Sequence, residues 1–466
     1  MKKILVFVFI VVIAAGATFY YFSENQTNFS KDSSAYKAIP VSAPLFLEIS
    51  SAKELAVRNG VMEGLADVGL GRNWIEFVNK ADSLISSTDK LSKRLLDTPF
   101  VLTWGISGRS DLVPLVIMKA DSENGQENLN ELIHVLFPSQ KNFYTKREYG
   151  KFSITEVNRG RNKDAIFFSF TDDLFLISSK SIIIEQVILQ LTTQGILKNQ
   201  YFNEVLHAAG SEGIQLFINH NRFDGFLNNI LNRKITEKRD EFGMTLRFQP
   251  VESAKKFIDF AGWSEYDFKF DNDHLLLSGT TSADDSLNHF LSVFDVQQPV
   301  RFSAADALPV NTSFFCTYAF SDKNAFFERL ENFFLHTTNY YHREERMKRF
   351  DRGIRGNIRK SFMDIVKNEV TVSAGTIPVD PSGKTVYFLV PVTSQSTAEE
   401  NLNKLISMHA STSGKSVSDY LSEFSVDSEV QYNIYQFPFP SFPGLWLGSP
   451  FTMAEAGYVT IHNNNM

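Results

Sequence analysis

The seven residues ENLNELI at 127–133 return almost unchanged as ENLNKLI at 400–406. One such match means little, but others lie in register with it. AIPVSAPLF at 38–46 answers ALPVNTSFF at 307–315, TWGIS at 103–107 answers SAGTI at 373–377, and LVI at 115–117 answers FLV at 388–390. The order is the same in both series and the spacing drifts slowly, as it does when loops accept short insertions. A collinear series of this kind implies duplication, so the expectation is two tandem copies of one domain, residues 36–300 and 301–466.

The pieces of the repeat have readable roles. The Ile39-Pro40 pair favours extended backbone, and Leu45 to Ile49 reads as a strand. Residues 74–96 carry apolar side chains at helical spacing. PFVLTWGIS and LVPLVIMKA are strands about a GRSD turn, and ENLNELIHVLF is a helix with Leu129, Leu132, Ile133, Leu136 and Phe137 on one stripe. ENLNKLISMH keeps Leu402, Leu405 and Ile406 of that stripe, so the heptad reads as the start of a helix lying on a sheet. AIFFSFTDDLFLISS is a hairpin turning at Thr171-Asp172-Asp173, with the helix SIIIEQVILQL after it. In WSEYDFKFDNDHLLLSGTTS, Tyr266, Phe268 and Phe270 alternate with Asp267 and Lys269, the pattern of a second hairpin. Hairpin-linked strands interrupted by helices predict an α+β fold with mainly antiparallel sheets. GYVTIHNNN near the C-terminus resembles AIFFSFTDD, and the sequence stops at the turn. The second copy is therefore expected to be incomplete, because a strand without its partner leaves an open apolar edge.

The N-terminus reads MKKILVFVFIVVIAAGATFYYF: Lys2 and Lys3, then an uncharged run from Ile4 to Phe22. Such a run nearly spans a hydrocarbon layer about 30 Å thick, and the two lysines keep its start cytoplasmic. The expectation is an N-terminal transmembrane helix over residues 1–22, a polar linker over 23–35, and export of all that follows across the inner membrane. A cleaved signal peptide using Ala15-Gly16-Ala17 is the alternative. The aromatic group Phe19-Tyr20-Tyr21-Phe22 suits an interfacial belt and favours the anchor. Cys316 is the only cysteine, so no intramolecular disulfide forms, and its apolar neighbours TSFFCTY suit a structural thiol.

The Ala-Ile-Pro start after an N-terminal membrane segment, the GWSEYDFKF hairpin, SLNHFLSVF, and VQQPV leading into ALPVNTSFF resemble a family of exported bacterial proteins classed only as a domain of unknown function. The similarity covers about residues 36–460. The resemblance implies an envelope location and a duplicated α+β ectodomain, and transfers no catalytic residues.

Chemical motifs are few. The net charge is −7 with no broad basic face, which argues against nucleic acid as a partner. The nine histidines are dispersed, and His336 and His342 are expected on different faces of one helix. GISG at 105–108 lacks the spacing of a nucleophile elbow. SGKS at 413–416 lacks the upstream glycine of a phosphate loop, and DSENGQE at 121–127 lacks the distal glutamate of a calcium loop. No catalytic residue, cofactor or metal ligand is legible.

Two stretches offer interaction surfaces. HREERMKRFDRGIRGNIRK at 342–360 holds eight Lys or Arg against three acids, among them Arg346, Arg349 and Arg352, and could face anionic lipid or acidic polysaccharide. FPFPSFPGLWLGSPF at 437–451 is read as a loop whose Phe437, Phe439, Phe442, Trp446 and Phe451 either pack under the part of the second copy expected to be missing or form an exposed patch for a partner or membrane surface. The function expected is a membrane-anchored, extracytoplasmic binding or scaffolding protein of the bacterial envelope, with an envelope protein as a partner. The alternative is an envelope hydrolase with dispersed catalytic groups between the copies. Lipid handling, suggested only by the 43 phenylalanines, is a third reading.

Overall fold

The computed structural model describes residues 34–50, 99–108, 111–119, 143–158, 165–224, 259–270, 275–377, 380–425 and 431–466, with gaps of one or two residues. It also describes a few positions at 127–133, 226, 238–239 and 245–246. The chain divides into two compact units, one ending at His289 and the other starting at Phe290.

The first unit is built on one ten-stranded antiparallel sheet. Its strands are β1 (Leu45–Ile49), β2 (Phe100–Ser107), β3 (Asp111–Lys119), β4 (Phe143–Tyr149), β5 (Phe152–Asn158), β6 (Ile166–Thr171), β7 (Leu174–Ser178), β8 (Ile214–Asn219), β11 (Trp263–Phe270) and β12 (Leu275–Ser282). They lie in the order β12-β11-β8-β1-β2-β3-β7-β6-β5-β4, while the short β9 (Lys238–Arg239) and β10 (Thr245–Leu246) pair separately. The expected hairpins are present: Asp172 takes a positive φ of 48° in the turn between β6 and β7, and β11 pairs β12 from Trp263↔Ser282 to Phe270↔Leu275.

Among the described residues, helices of this unit include α1 (Ser34–Ala38), α2 (Ser181–Gln190) and α3 (Gln200–Ala208). Asn199 caps α3 by accepting a hydrogen bond from the Phe202 N–H, and this presents Phe202, Val205 and Leu206 to the core. There Phe46 of β1 stacks on Phe217 of β8 at 4.5 Å, while Phe202 meets Trp263 of β11 edge-on at 5.0 Å. Leu129 and Ile133 of the first heptad are helical and buried, as its stripe requires.

Among the described residues the second unit has more helix and two smaller sheets. β13 (Thr312–Ala319) is followed by α4 (Lys323–Leu335), α5 (Tyr340–Ile354) and α6 (Ile358–Ile365). β14 (Glu369–Ile377), β15 (Asp380–Leu389), α7 (Gln395–Ser413), β16 (Leu421–Ser425), β17 (Gln431–Gln436), α8 (Phe442–Leu447) and β18 (Tyr458–Val459) complete it. The sheets are β13-β14-β15 and β16-β17-β18. α7 contains the second heptad: Ser394 caps its start, and Ala398, Leu402, Leu405, Ile406 and Ala410 form its buried stripe. Gly414 ends it at φ 70°, so SGKS is a helix terminus with the left-handed residue that glycine tolerates. His336 caps the end of α4 and His342 lies in α5, on separate helices rather than one.

The expected architecture needs correction. Two like copies of one α+β domain are not what the structure contains: among the described residues the first unit has a ten-stranded sheet beside the β9-β10 pair, and the second has two three-stranded sheets. The local order β1-β2-β3 does recur as β13-β14-β15, which is where the matching segments fall. The difference lies in β7. In the first unit it pairs with both β3 and β6 and so welds two meanders into one sheet. In the second unit the corresponding link consists of the backbone pair between Val390 and Met466 and the bond from Val392 N–H to the Asn464 carbonyl. Among the described residues no helix is long and apolar enough to cross a membrane. The apolar run at 4–22 and the helix expected over 74–96 lie outside the described residues.

Candidate functional site

The aromatic stretch folds inward. Pro443 fits the first turn of α8, where its missing N–H leaves no helical bond unmade. The helix buries Phe442 and Trp446, 0% and 1% exposed, and Phe437, Phe439 and Phe451 are buried around them. Trp446 is stacked between Phe442 and Phe327 of α4, with ring centroids 5.3 and 4.9 Å away. Phe442 also meets Phe362 of α6 at 4.6 Å, and Phe451 meets Tyr318 of β13 at 4.7 Å. Of the two roles open to these side chains, burial assigns packing. The segment is a helix with its flanking core contacts, not the loop its prolines suggest.

The basic stretch 342–360 separates into an inner and an outer set. Arg343 points inward from α5: its Nη2 meets Glu331 Oε1 at 2.8 Å, its Nη1 meets Glu344 Oε1 at 3.0 Å, and its Nε donates to the Leu445 carbonyl at 2.6 Å. Its guanidinium also covers the Phe334 ring at 4.0 Å. Arg359 joins the same two carboxylates, so this partly buried group is close to charge-balanced. Arg346, expected at the surface, donates to Ser441 Oγ at 2.7 Å and ties α5 to the start of α8. Lys348 pairs with Glu345 and Lys360 with Asp364 at exposed positions, where such pairs contribute little.

Arg349, Arg352 and Arg355 are the outer set. All three are exposed, and their side chains make no ion pair among the described residues. Spacings of three and four place Lys348, Arg349, Arg352 and Arg355 along one side of the end of α5. Lys348, Asp351, Arg352, Arg355 and Gly356 line a shallow depression of about 580 Å³. Its floor is fixed by the helix end: Arg355 adopts the left-handed conformation at φ 46°, and Asp351 Oδ1 accepts the Ile358 N–H at 2.9 Å. With Asp351 thus engaged, the guanidiniums of Arg352 and Arg355 are left facing solvent. Exposed guanidiniums offer paired N–H donors that match phosphate or carboxylate oxygens. Arg355 was not singled out from the sequence, although it continues the spacing of Arg349 and Arg352.

The first unit contains the strongest departures from ordinary titration. Glu48 of β1 and Glu265 of β11 lie on the face covered by α1 and α3. Tyr36 of α1 donates to Glu48 Oε2 at 2.5 Å, and Gln215 Nε2 of β8 donates to Asp267 Oδ1 at 2.9 Å. Burial pushes the Glu48 carboxyl up to about 7, against the Tyr36 hydrogen bond. Burial, then the charge of Asp267, pushes Glu265 up to about 7 as well. On the opposite face of β11, His220 Nε2 meets Ser264 Oγ at 2.7 Å, and Ser264 Oγ meets Thr281 Oγ1 at 2.8 Å. Burial pushes the His220 imidazole down to about 4, so it is neutral at pH 7.

A neutral imidazole beside a serine has the charge state of a nucleophile and base. However, Ser264 is fully buried between its two partners, and His220 Nδ1 is buried without the carboxylate that would orient the ring. This arrangement closes a core and admits no acyl group to Ser264. Among the described residues no group of three or more His, Cys, Asp or Glu is placed to hold a metal ion. The half-buried Cys316 thiol is raised by burial, which makes it a poor nucleophile. No family model, curated protein or solved structure matches the chain.

Proposed function

We propose that this chain is an exported binding or scaffolding protein of a bacterial cell envelope, and that the outer face of α5 is its contact with anionic groups. The observation that carries the reading is the exposed, ion-pair-free set Arg349, Arg352 and Arg355, of which Arg352 and Arg355 line the depression. On a chain of net charge −7, a local positive face of this kind has a defined polarity towards partners. Lys2, Lys3 and the apolar run that follows support delivery across the inner membrane, with the protein membrane-held or released according to whether residues 1–22 are cleaved.

The test is binding of the full-length protein, solubilised in detergent, to beads coated with anionic lipid and to cell-wall fractions at low and high salt. Each Lys or Arg near an anionic surface contributes about 1 kcal/mol, so reversing Arg349, Arg352 and Arg355 to Glu should weaken binding at least about tenfold. Binding should also fall as salt shortens the screening length to about 10 Å at 0.1 M. Undiminished binding by the folded triple variant would refute this role for α5.

A further inference from the structure

The outer face of α5 joins its cations to exposed apolar side chains. Counted along the helix, Tyr341, Glu345, Lys348, Arg352 and Arg355 fall on one stripe, with His342 and Arg349 beside it. The opposite side is closed, because Met347 and Ile354 are buried in the core of the second unit. Tyr341, in the first turn of the helix, is 83% exposed, and Leu335, which ends α4 just ahead of it, is 52% exposed. Two acids belong to the same face. Glu345 pairs with Lys348 at 3.2 Å and Asp351 accepts the Ile358 N–H, so Lys348, Arg349, Arg352 and Arg355 stand against two engaged carboxylates. These cations are strung along about 10 Å of helix, and the depression that Arg352 and Arg355 line is shallow. A row of this kind has no enclosed point at which to grip one small anion. It suits an extended negative surface met by several weak contacts.

We infer that the surface met by this face is an anionic lipid layer, with α5 lying along the head groups, its cations on their phosphates, and Tyr341 and Leu335 dipping into the interface. The inference rests on the anion-binding reading of α5 and names its partner. Charge and apolarity together favour lipid over an acidic polysaccharide. A helix with one basic side and exposed aromatic and aliphatic groups has the composition of helices that lie in the plane of a membrane. Tyrosine suits that depth, because its ring takes the apolar side and its hydroxyl stays in water. An acidic polymer would satisfy the arginines but would leave Leu335 in water, whereas a bilayer covers it. In the same reading the apolar run at 4–22 and the polar linker behind it keep the chain beside lipid. A tethered site meets head groups at an effective concentration of about millimolar, at which weak contacts suffice.

Asn339 is exposed and its side chain makes no cap bond, so Asn339→Cys in a Cys316→Ser background accepts one fluorophore two residues from Tyr341. The full-length protein carrying it is reconstituted into vesicles of phosphatidylcholine alone or with phosphatidylglycerol added, each containing a lipid that bears a spin-label quencher. Quenching should be several times stronger in the anionic vesicles, fall towards the neutral level at high salt, and be lost when Arg349, Arg352 and Arg355 are reversed to Glu. Leu335→Ser together with Tyr341→Ser should weaken docking by about tenfold, because two apolar groups no longer leave water, while binding to acidic cell-wall polymer stays unchanged. Quenching no stronger in anionic than in neutral vesicles, from a protein that still binds that polymer through the three arginines, would overturn the lipid assignment and leave the anion-binding reading standing. Loss of both kinds of binding would overturn both. Undiminished docking by the folded double serine variant would overturn the inference as well, since charge alone would then account for the contact.

Discussion

Replacing Phe442 and Trp446 with serine is expected to unfold the second unit. Both side chains are fully buried, Trp446 stacked between Phe442 and Phe327, and Phe442 against Phe362. Truncating one such aromatic costs about 3–5 kcal/mol through lost transfer energy and the cavity left behind. Each serine also buries a hydroxyl among apolar rings. The two losses are not independent, because the rings touch each other, so the pair costs less than their sum. It still claims most of the roughly 5–15 kcal/mol that holds an ordinary domain together. Thermal unfolding followed by far-UV circular dichroism decides the point: loss of the second unit's transition establishes these aromatics as core. A double variant that melts like the parent but no longer associates with membranes or a partner would place them at a surface instead.

What could be read from the sequence depended on how local the signal was. The hairpins at Thr171-Asp173 and after Phe270, and the helices of the two heptads, follow from turn chemistry and apolar spacing within a few residues, and the structure forms them. The 437–451 segment was harder to read because four prolines mask a helix whose first turn can accept one. Arg343 looked like its neighbours in the basic run; only the fold shows that Glu331, Glu344 and the end of α8 converge on it. The expectation of two like copies went astray because matching short segments report strand order, whereas the extent of a sheet depends on long-range partners such as β7, which pairs on both sides. Glu265 was missed for a related reason. Alternation along β11 sets Tyr266 and Phe268 against Glu265 and Asp267, and apolarity alone would turn the aromatics inward. Instead Trp263, in phase with Glu265, packs on Phe202, which carries the carboxylates into the layer beneath α3.

That placement leads to a pH dependence whose sign is opposite to that of a salt-bridged carboxylate. Glu265 is 1% exposed, its Oε1 has no hydrogen-bond partner, and its folded carboxyl is held at about 7 against an ordinary 4.5. Asp267 on its own strand and Glu48 on β1 both raise it, while the Thr280 backbone on β12 lowers it. The folded state thus binds the proton more tightly than the unfolded chain does. Its contribution to stability is complete below about pH 4.5, falls as pH rises towards 7, and is gone above that. At about 1.4 kcal/mol per unit, the loss reaches about 3 kcal/mol. Glu48 is shifted in the same sense, and since the two carboxyls interact, their combined effect belongs to the pair.

Glu265→Gln is therefore expected to stabilise the first unit by up to about 3 kcal/mol at pH 8 and to leave it nearly unchanged at pH 4.5, because an amide mimics the protonated acid beside Asp267. Urea unfolding of parent and variant at several pH values reads the effect of Glu265 together with its coupling to Glu48 and Asp267, since contributions from groups that do not interact with it cancel in the difference. A constant difference across that range would mean that Glu265 binds its proton no more tightly in the folded protein than in the unfolded chain. A difference that grows from pH 4.5 to 7 and then levels would show that the sheet keeps a proton on this carboxyl. At neutral pH and above, the first unit would then carry a buried charge that weakens it.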